Sequence, residues 1–426
     1  MGQQKKSEDM LGRSALLERR EAQRLFSGHL PPPTLSSEEI DVTASLGRIV
    51  YSEITSPESL PPFARSTMDG YAVRARDTYG ATESLPAYLN LVGEVLMGAA
   101  AGCAVGEMET VKIWTGGMIP EGADAVVMLE YTAAVDNKMI EANRAVASGE
   151  NVIEAGEDVA RGAPVLTSGH RMRPQDIGAL CGLGITRLTV CRRPRVAVIP
   201  TGNEIVPPDA VPGPGQIRDI NSHHLAALIR QDGCEAVLYP VVPDEESRFE
   251  SVLKRAMGET EVVLLSGGSS VGARDLTAQV LSGLGDPGVI FHGVAVKPGK
   301  PTIGAVIDGK PLFGLPGHPA SVVIGYELFV RPLLHSLSGV PDVSWEPFSN
   351  RPRIRARMGR RIASRSGRED YVRVALERDG DEVVARPVLG KSGLITTLVH
   401  AGGTVIIPAN SLGLDQGDEV HVQLFG

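Results

Sequence analysis

Residues 261–275, EVVLLSGGSSVGARD, run from a short apolar segment straight into a turn of glycines and serines. The run Glu261–Leu265 has the length of a buried strand rather than a helix. The segment after it, near 275–284, is amphipathic, so the unit reads strand, loop, helix. Working outward, the same rhythm repeats. Arg195–Pro200 precedes a helix near 221–232, and Glu235–Val242 precedes one near 245–258. Val289–Val296 follows the central unit. Thr302–Ile307 and Pro311–Leu315 flank Asp308-Gly309-Lys310, whose Asp-Gly predicts a tight hairpin. A long helix near 320–337 closes the series. Strand–helix alternation of this kind predicts a doubly wound, mostly parallel α/β sheet with helices on both faces.

On either side the pattern changes. Residues 11–28 carry Leu16, Leu17 and Leu25 at near-helical spacing, and Pro31-Pro32-Pro33 ends that helix. From about 48 to 190 short apolar runs broken by Gly and Pro, such as Tyr71–Val73, Leu89–Val95, Val111–Trp114 and Ala125–Leu129, predict mostly strands. After Gly339 and Pro341 short strands return, as at 371–376, 382–386 and 418–424. No internal repeat is visible.

Composition narrows the function. The 426 residues include 49 glycines and 30 prolines, well above the usual share of about 12%. With 42% hydrophobic residues that excess belongs to turns between packed elements, not to disorder. Only 4% of residues are aromatic and the net charge is −9, which argues against a base-stacking or uniformly basic nucleic-acid surface. Cys103, Cys181, Cys191 and Cys234 form neither a C-x-x-C pair nor a zinc spacing. No apolar run has the length of a membrane span, and the charged N-terminus MGQQKKSEDM lacks an apolar signal core. A cytoplasmic protein with no membrane or nucleic-acid partner is expected.

Ligands of open parallel sheets bind beyond the carboxyl ends of the strands, which singles out four loops: Thr201–Glu204, Ser266–Asp275, Lys297–Pro301 and Gly314–Ser321. In the second, glycines let the backbone approach a ligand, serines add donors, and a helix N-terminus follows. Phosphate or a similar anion is the chemistry it suits, against the plainer reading of a tight turn. Lys297 and Lys300 flank Pro298-Gly299 and suit a compact oxyanion. Asp244 and Asp275 sit at helix starts, where capping is their ordinary role; as a pair they suit Mg²⁺, which takes few carboxylates plus water and phosphate oxygens. Arg351, Arg353, Arg355 and Arg357 alternate along one predicted strand face, extended by Arg360, Arg361, Arg365 and Arg368. That face reads as solvated, with steering of an anion as the alternative. Gly390-Lys391-Ser392 lacks the earlier glycine of a Walker loop, and Gly213-Pro214-Gly215 lacks the third glycine of a dinucleotide loop.

Pro62-Phe63, Ser66–Ala72 (STMDGYA), Thr115-Gly116, Pro120–Val127 and Gly156-Glu157-Asp158 resemble the molybdopterin molybdenumtransferase family (MoeA and the gephyrin E domain). So do Thr201–Glu204, Gly215-Gln216 with Asn221, Ser266–Asp275, Lys297–Pro301 and Gly314–Gly317. The resemblance runs from about residue 40 to the C-terminus. It implies a homodimeric transferase that takes adenylylated molybdopterin and molybdate, cleaves the phosphoanhydride with Mg²⁺, and releases AMP and molybdenum cofactor. It implies an elongated, four-region chain: 1–59 with 145–190, a β-rich insertion at 60–144, an α/β domain at 191–340 and a C-terminal β domain at 345–426.

By motif match, Lys297, Lys300, Pro301, Ser321, Arg368 and Ser392 would hold molybdate, and Asp244 and Asp275 would hold Mg²⁺. Gly267, Gly268, Ser269, Ser270, Gly272, Pro316 and Gly317 would cradle phosphate or pterin. Asp69, Asp158 and Glu204 would be further functional acids, Asp69 acting from the second subunit. The resemblance also implies a molybdopterin adenylyltransferase and molybdoenzyme chaperones as partners, and leaves tungstate open as the oxyanion. An adenylyltransferase-like activity and a non-catalytic, gephyrin-like scaffold are the rival expectations. Two departures stand out: His318 replaces the usual asparagine after Pro-Gly, and Asn203 replaces a common aspartate. His318 reads as a structural residue, or as one that supports the residues touching the ligand, rather than a general base.

Overall fold

The computed structural model describes residues 16–267 and 271–425, with only the helical backbone described within 271–276. The chain divides into two compact units, one of residues 38–190 and one that joins residues up to Ser37 to 191–426.

The larger unit opens with α1 (Arg19–Gly28). The α/β layer follows as β1 (Arg195–Thr201), α2 (Asn221–Gln231), β2 (Glu235–Leu238), α3 (Glu246–Glu259) and β3 (Val262–Gly267). It continues as α4 (Val271–Gly283), β4 (Pro287–His292), β5 (Ile303–Ile307) and β6 (Lys310–Leu315). The strand order is β2-β1-β3-β6-β5-β4. The first four are parallel, while β5 runs antiparallel between β6 and β4. Asp308 and Gly309 both have positive φ, 49° and 78°, as the two-residue turn of a hairpin requires. Two expected strands come out shorter. β2 stops at Leu238 ahead of Pro240, which has no amide for the ladder. β4 stops at His292, and Val296-Lys297 pairs with a different sheet.

Period-2 alternation splits the sheet between two cores. Val196, Val198, Val262 and Leu264 face one apolar cluster with α1 and α2, whereas Ala197, Ile199, Val263 and Leu265 face another with α3. α1 presents Ala22 and Phe26, both fully buried, and the Phe26 ring lies 4.6 Å from Phe313 and 6.1 Å from Phe291. That packing groups α1 with the α/β layer, not with the 145–190 segment that the sequence reading pairs it with. Beyond β6, helical backbone runs from Pro319–Gly325 through a π-helical Tyr326–Val330 into Arg331–Leu337.

The C-terminal strands Arg353–Met358, Glu369–Asp379, Glu382–Pro387, Gly403–Ile407 and Glu419–Leu424 pair in a closed circuit. A small barrel leaves these strands no open edge. Val296-Lys297 adds to it in parallel with Glu369-Asp370, so one loop of the α/β sheet is stitched into the barrel wall. Arg353, Arg355 and Arg357 do form an exposed face, and Arg355 and Arg357 pair with Glu419 and Glu382. Arg351 does not belong to it. The strand begins only at Arg353, and the Arg351 side chain is buried, donating to Glu327 at 2.8 Å.

The 38–190 unit carries a six-stranded sheet in the order 125–128, 70–73, 109–113, 87–94, 139–142, 132–134. Val42 and Val50 share a separate apolar cluster with Leu166, Met172, Leu180, Leu188 and Val190. The helix Pro174–Gly182 in that region has weak apolar periodicity and was not expected. Its start is fixed by Asp176, which accepts from the Arg173 amide at 2.7 Å and from His170 Nε2 at 2.6 Å. The Arg173 side chain, opposing the cost of burial, helps hold the Asp176 carboxyl far below the usual range. No described helix is long and apolar enough to cross a membrane.

Candidate active site

β1, β3 and β6 are parallel, and β4 runs the same way, so the loops after them leave one edge of the sheet. There a cavity of about 620 Å³ opens between these loops and the barrel, a size that suits a small organic ligand. Thr201 and Gly267 line it from β1 and β3. The loop after β4 contributes Lys297, Lys300 and Pro301, and the loop after β6 contributes Pro316, Gly317, His318 and Ser321. Arg368, Asp370, Arg373, Lys391 and Ser392 reach it from the barrel. All six residues expected to hold an oxyanion thus meet in one place, although a long stretch of sequence separates the first from the last.

The geometry of the cations is set by a carboxylate that sequence reasoning missed. Asp370 is 3% exposed. It accepts from Arg368 Nε at 2.8 Å and stands 3.5 Å from Lys297 Nζ. Arg368 lies just before the strand Glu369–Asp379, two residues ahead of Asp370, and that close spacing of a cation and a carboxylate was the available signal. The Lys297 backbone is fixed as well, because Val296-Lys297 lies in register with Glu369-Asp370. Thr302 donates to Gly299 O at 2.7 Å and closes the lysine loop. Arg373 and Lys391 were also missed. Arg373 Nη2 donates to Gly390 O at 3.1 Å, and burial lowers its pKa. Lys391 lies in the segment that fails as a Walker loop.

Gly267 has a steric requirement independent of any ligand. Its φ is +139°, and a Cβ there would lie 2.0 Å from Thr201 O on the neighbouring strand. Gly268, Ser269 and Ser270 lie outside the described residues, as does the side chain of Asp275. α4 begins at Val271, which puts Gly272 in its first turn. The Gly317 carbonyl accepts from Asn221 Nδ2 at 2.9 Å, which ties the last loop to α2.

Glu204 and Asp244 are not among the described residues that line the cavity. Glu204 follows β1 and folds back over Gly202. Asp244 is exposed and does not cap α3. The capping position is Glu245, with no side-chain bond, and the Asp244 amide donates to Asn203 Oδ1 at 3.3 Å. Asn203, the second departure, therefore links the loops after β1 and β2. In the 38–190 unit, Asp69 Oδ1 accepts from the Thr115 amide and hydroxyl, both at 2.8 Å, and these bonds lower its pKa. Asp158 is exposed, its amide donating to Leu60 O at 3.2 Å.

Among the described residues no three His, Cys, Asp or Glu side chains gather as a metal cage. The exposed Asp244 carboxylate is a hard oxygen donor, the kind that Mg²⁺ takes alongside several waters and substrate phosphate oxygens.

Three family models match in sequence order: the MoeA N-terminal region (domains I and II) over residues 17–184, a probable molybdopterin binding domain over 197–336, and the MoeA C-terminal region (domain IV) over 355–425. A molybdopterin molybdenumtransferase 2 of Mycobacterium tuberculosis is 33% identical over 388 residues, covering 90% of this chain and 94% of the relative. The molybdopterin molybdenumtransferase of Bacillus subtilis is 31% identical over 401 residues, covering 91% and 90%. A solved MoeA protein from Pyrococcus horikoshii matches with a TM-score of 0.82 and 37% identity over 96% of this chain and 99% of that one.

Proposed function

The chain belongs to the molybdopterin molybdenumtransferase (MoeA) family and is a transferase of molybdenum cofactor biosynthesis, and from that premise we propose that it inserts molybdate into adenylylated molybdopterin and releases AMP. The observation that carries this reading is the convergence of Lys297, Lys300, Pro301, Ser321, Arg368 and Ser392 on one cavity. An oxyanion offers only acceptors, and this set supplies ammonium, guanidinium and hydroxyl donors. Asp370 keeps Lys297 and Arg368 in place ahead of binding, so little side-chain freedom is lost when the anion arrives.

The organic substrate would take the rest of the cavity, its phosphates towards Gly267 and the start of α4, where helix amides favour anions. Asp244 and Asp275 would hold Mg²⁺. When bound, that ion would draw charge from the phosphoanhydride oxygens and ease departure of AMP. Dimerisation belongs to the same proposal, with the partner subunit's Asp69 acting at this site and Asp158 and Glu204 as further functional acids. Tungstate, close to molybdate in size and charge, would compete for the same cations.

The test is AMP release from adenylylated molybdopterin by purified protein. With Mg²⁺ present, release should rise with added molybdate; no molybdate-dependent release removes the reading.

A further inference from the structure

His318 and Ser392 come from different sheets and meet at the cavity. His318 Nδ1 lies 2.8 Å from Ser392 Oγ. The two loops are also joined through backbone, the Ala320 amide donating to Ser392 O at 3.2 Å. The imidazole lies over Gly393, where a Cβ would come within 3.4 Å of His318 Cδ2. Both His318 and Ser392 line the cavity.

Two proton arrangements satisfy the 2.8 Å contact. In one, the serine hydroxyl donates to Nδ1 and offers an incoming ligand only lone pairs. In the other, Nδ1–H donates to Oγ and leaves the single hydroxyl proton for the ligand. An oxyanion can only accept, so it selects the second. A hydroxyl that accepts one hydrogen bond is also the stronger donor of the next. Lysine and arginine attract any oxyanion to the cavity, whereas a hydroxyl with a fixed proton sets where one of its oxygens rests.

We propose that His318 is a positioning residue for the oxyanion, its Nδ1–H holding Ser392 so that the hydroxyl proton points at the anion. The proposal rests on the reading that this cavity takes molybdate. It goes beyond that reading by giving a specific role to the histidine, which the sequence left as structural or as a support for the residues touching the ligand.

The test compares three single variants and one double variant in the full chain. His318→Phe keeps a flat ring over Gly393 and removes the Nδ1 donor. His318→Asn loses the ring but places an amide donor at nearly the same distance from the backbone. Ser392→Ala removes the hydroxyl, and the double variant combines His318→Phe with Ser392→Ala. Sodium molybdate is titrated calorimetrically, and the molybdate concentration for half-maximal AMP release is measured alongside.

His318→Phe should weaken molybdate binding roughly three- to tenfold, the worth of one net hydrogen bond. Ser392→Ala should weaken it comparably, the double variant no more than Ser392→Ala alone, and His318→Asn less than about twofold. Maximal AMP release at saturating molybdate should change little in His318→Phe. A ring that served only packing predicts the reverse order, with phenylalanine benign and asparagine harmful; that order, or additive losses in the double variant, overturns the proposal. Wild-type protein with no molybdate response in either assay overturns the underlying reading and this inference together.

Discussion

Asp232→Ala is expected to lower the stability of the larger unit by about 3–5 kcal/mol, the usual cost of leaving buried partners without their counter-charge. Asp232 is 5% exposed and lies just beyond α2. Its Oδ1 stands 3.1 Å from Arg331 Nε and 3.7 Å from His335 Nε2, and its Oδ2 accepts from Tyr326 at 2.7 Å. Glu327 completes the group, pairing with Arg331 at 3.1 Å and Arg351 at 2.8 Å. All of this packs against the helical rod 319–337, whose first turn carries Ser321. Burial pushes the Asp232 carboxyl up, but the contacts with His335, Arg331 and Tyr326 outweigh it and leave the pKa below the ordinary value.

A depressed carboxyl stabilises the fold above its unfolded pKa of about 4, and that share is lost as the pH falls through the folded value. The wild type should therefore lose more stability on acidification than the variant. Urea denaturation at neutral pH and again below about pH 4 measures both effects. A loss under about 1 kcal/mol at neutral pH, the size of an exposed ion pair, would show that these groups find other partners.

Lys297→Ala is expected to raise the molybdate concentration needed for half-maximal AMP release by roughly 10- to 100-fold, as one charged hydrogen bond is worth about 1.5–3 kcal/mol. Lys297 sits in a strand that pairs with the barrel and its side chain faces Asp370, so its ammonium is aimed rather than free. Asp370 would still hold Arg368, and Lys300 would remain. Residual activity at high molybdate is therefore part of the expectation. Titration of molybdate against initial rate checks it, and an unchanged half-maximal concentration would place Lys297 outside the anion site.

The α/β sheet was legible because its strands are apolar on both faces and its helices are long enough to show a period. Loops at strand ends could then be ranked for chemistry without knowing their partners. What stayed hidden required contacts distant in sequence. Asp370 gains its meaning only when Lys297, far earlier in the chain, is laid beside it. Arg351 reads as one of four alternating arginines until Glu327 is found buried next to it. The barrel's closure depends on pairing Glu369–Asp379 with Gly403–Ile407, and no local pattern announces it. Asp244 looked like a cap from its place before a helix, but the chain turns into α3 one residue later than capping by Asp244 would need.

The most direct test of the central claim is a crystal structure of the protein with molybdate, its metal located by anomalous scattering. The predicted result is one strong peak in the cavity, with oxygens in hydrogen-bonding reach of Lys297, Lys300, Arg368 and Ser392. A peak elsewhere on the chain, with the cavity holding only solvent at saturating molybdate, would contradict it.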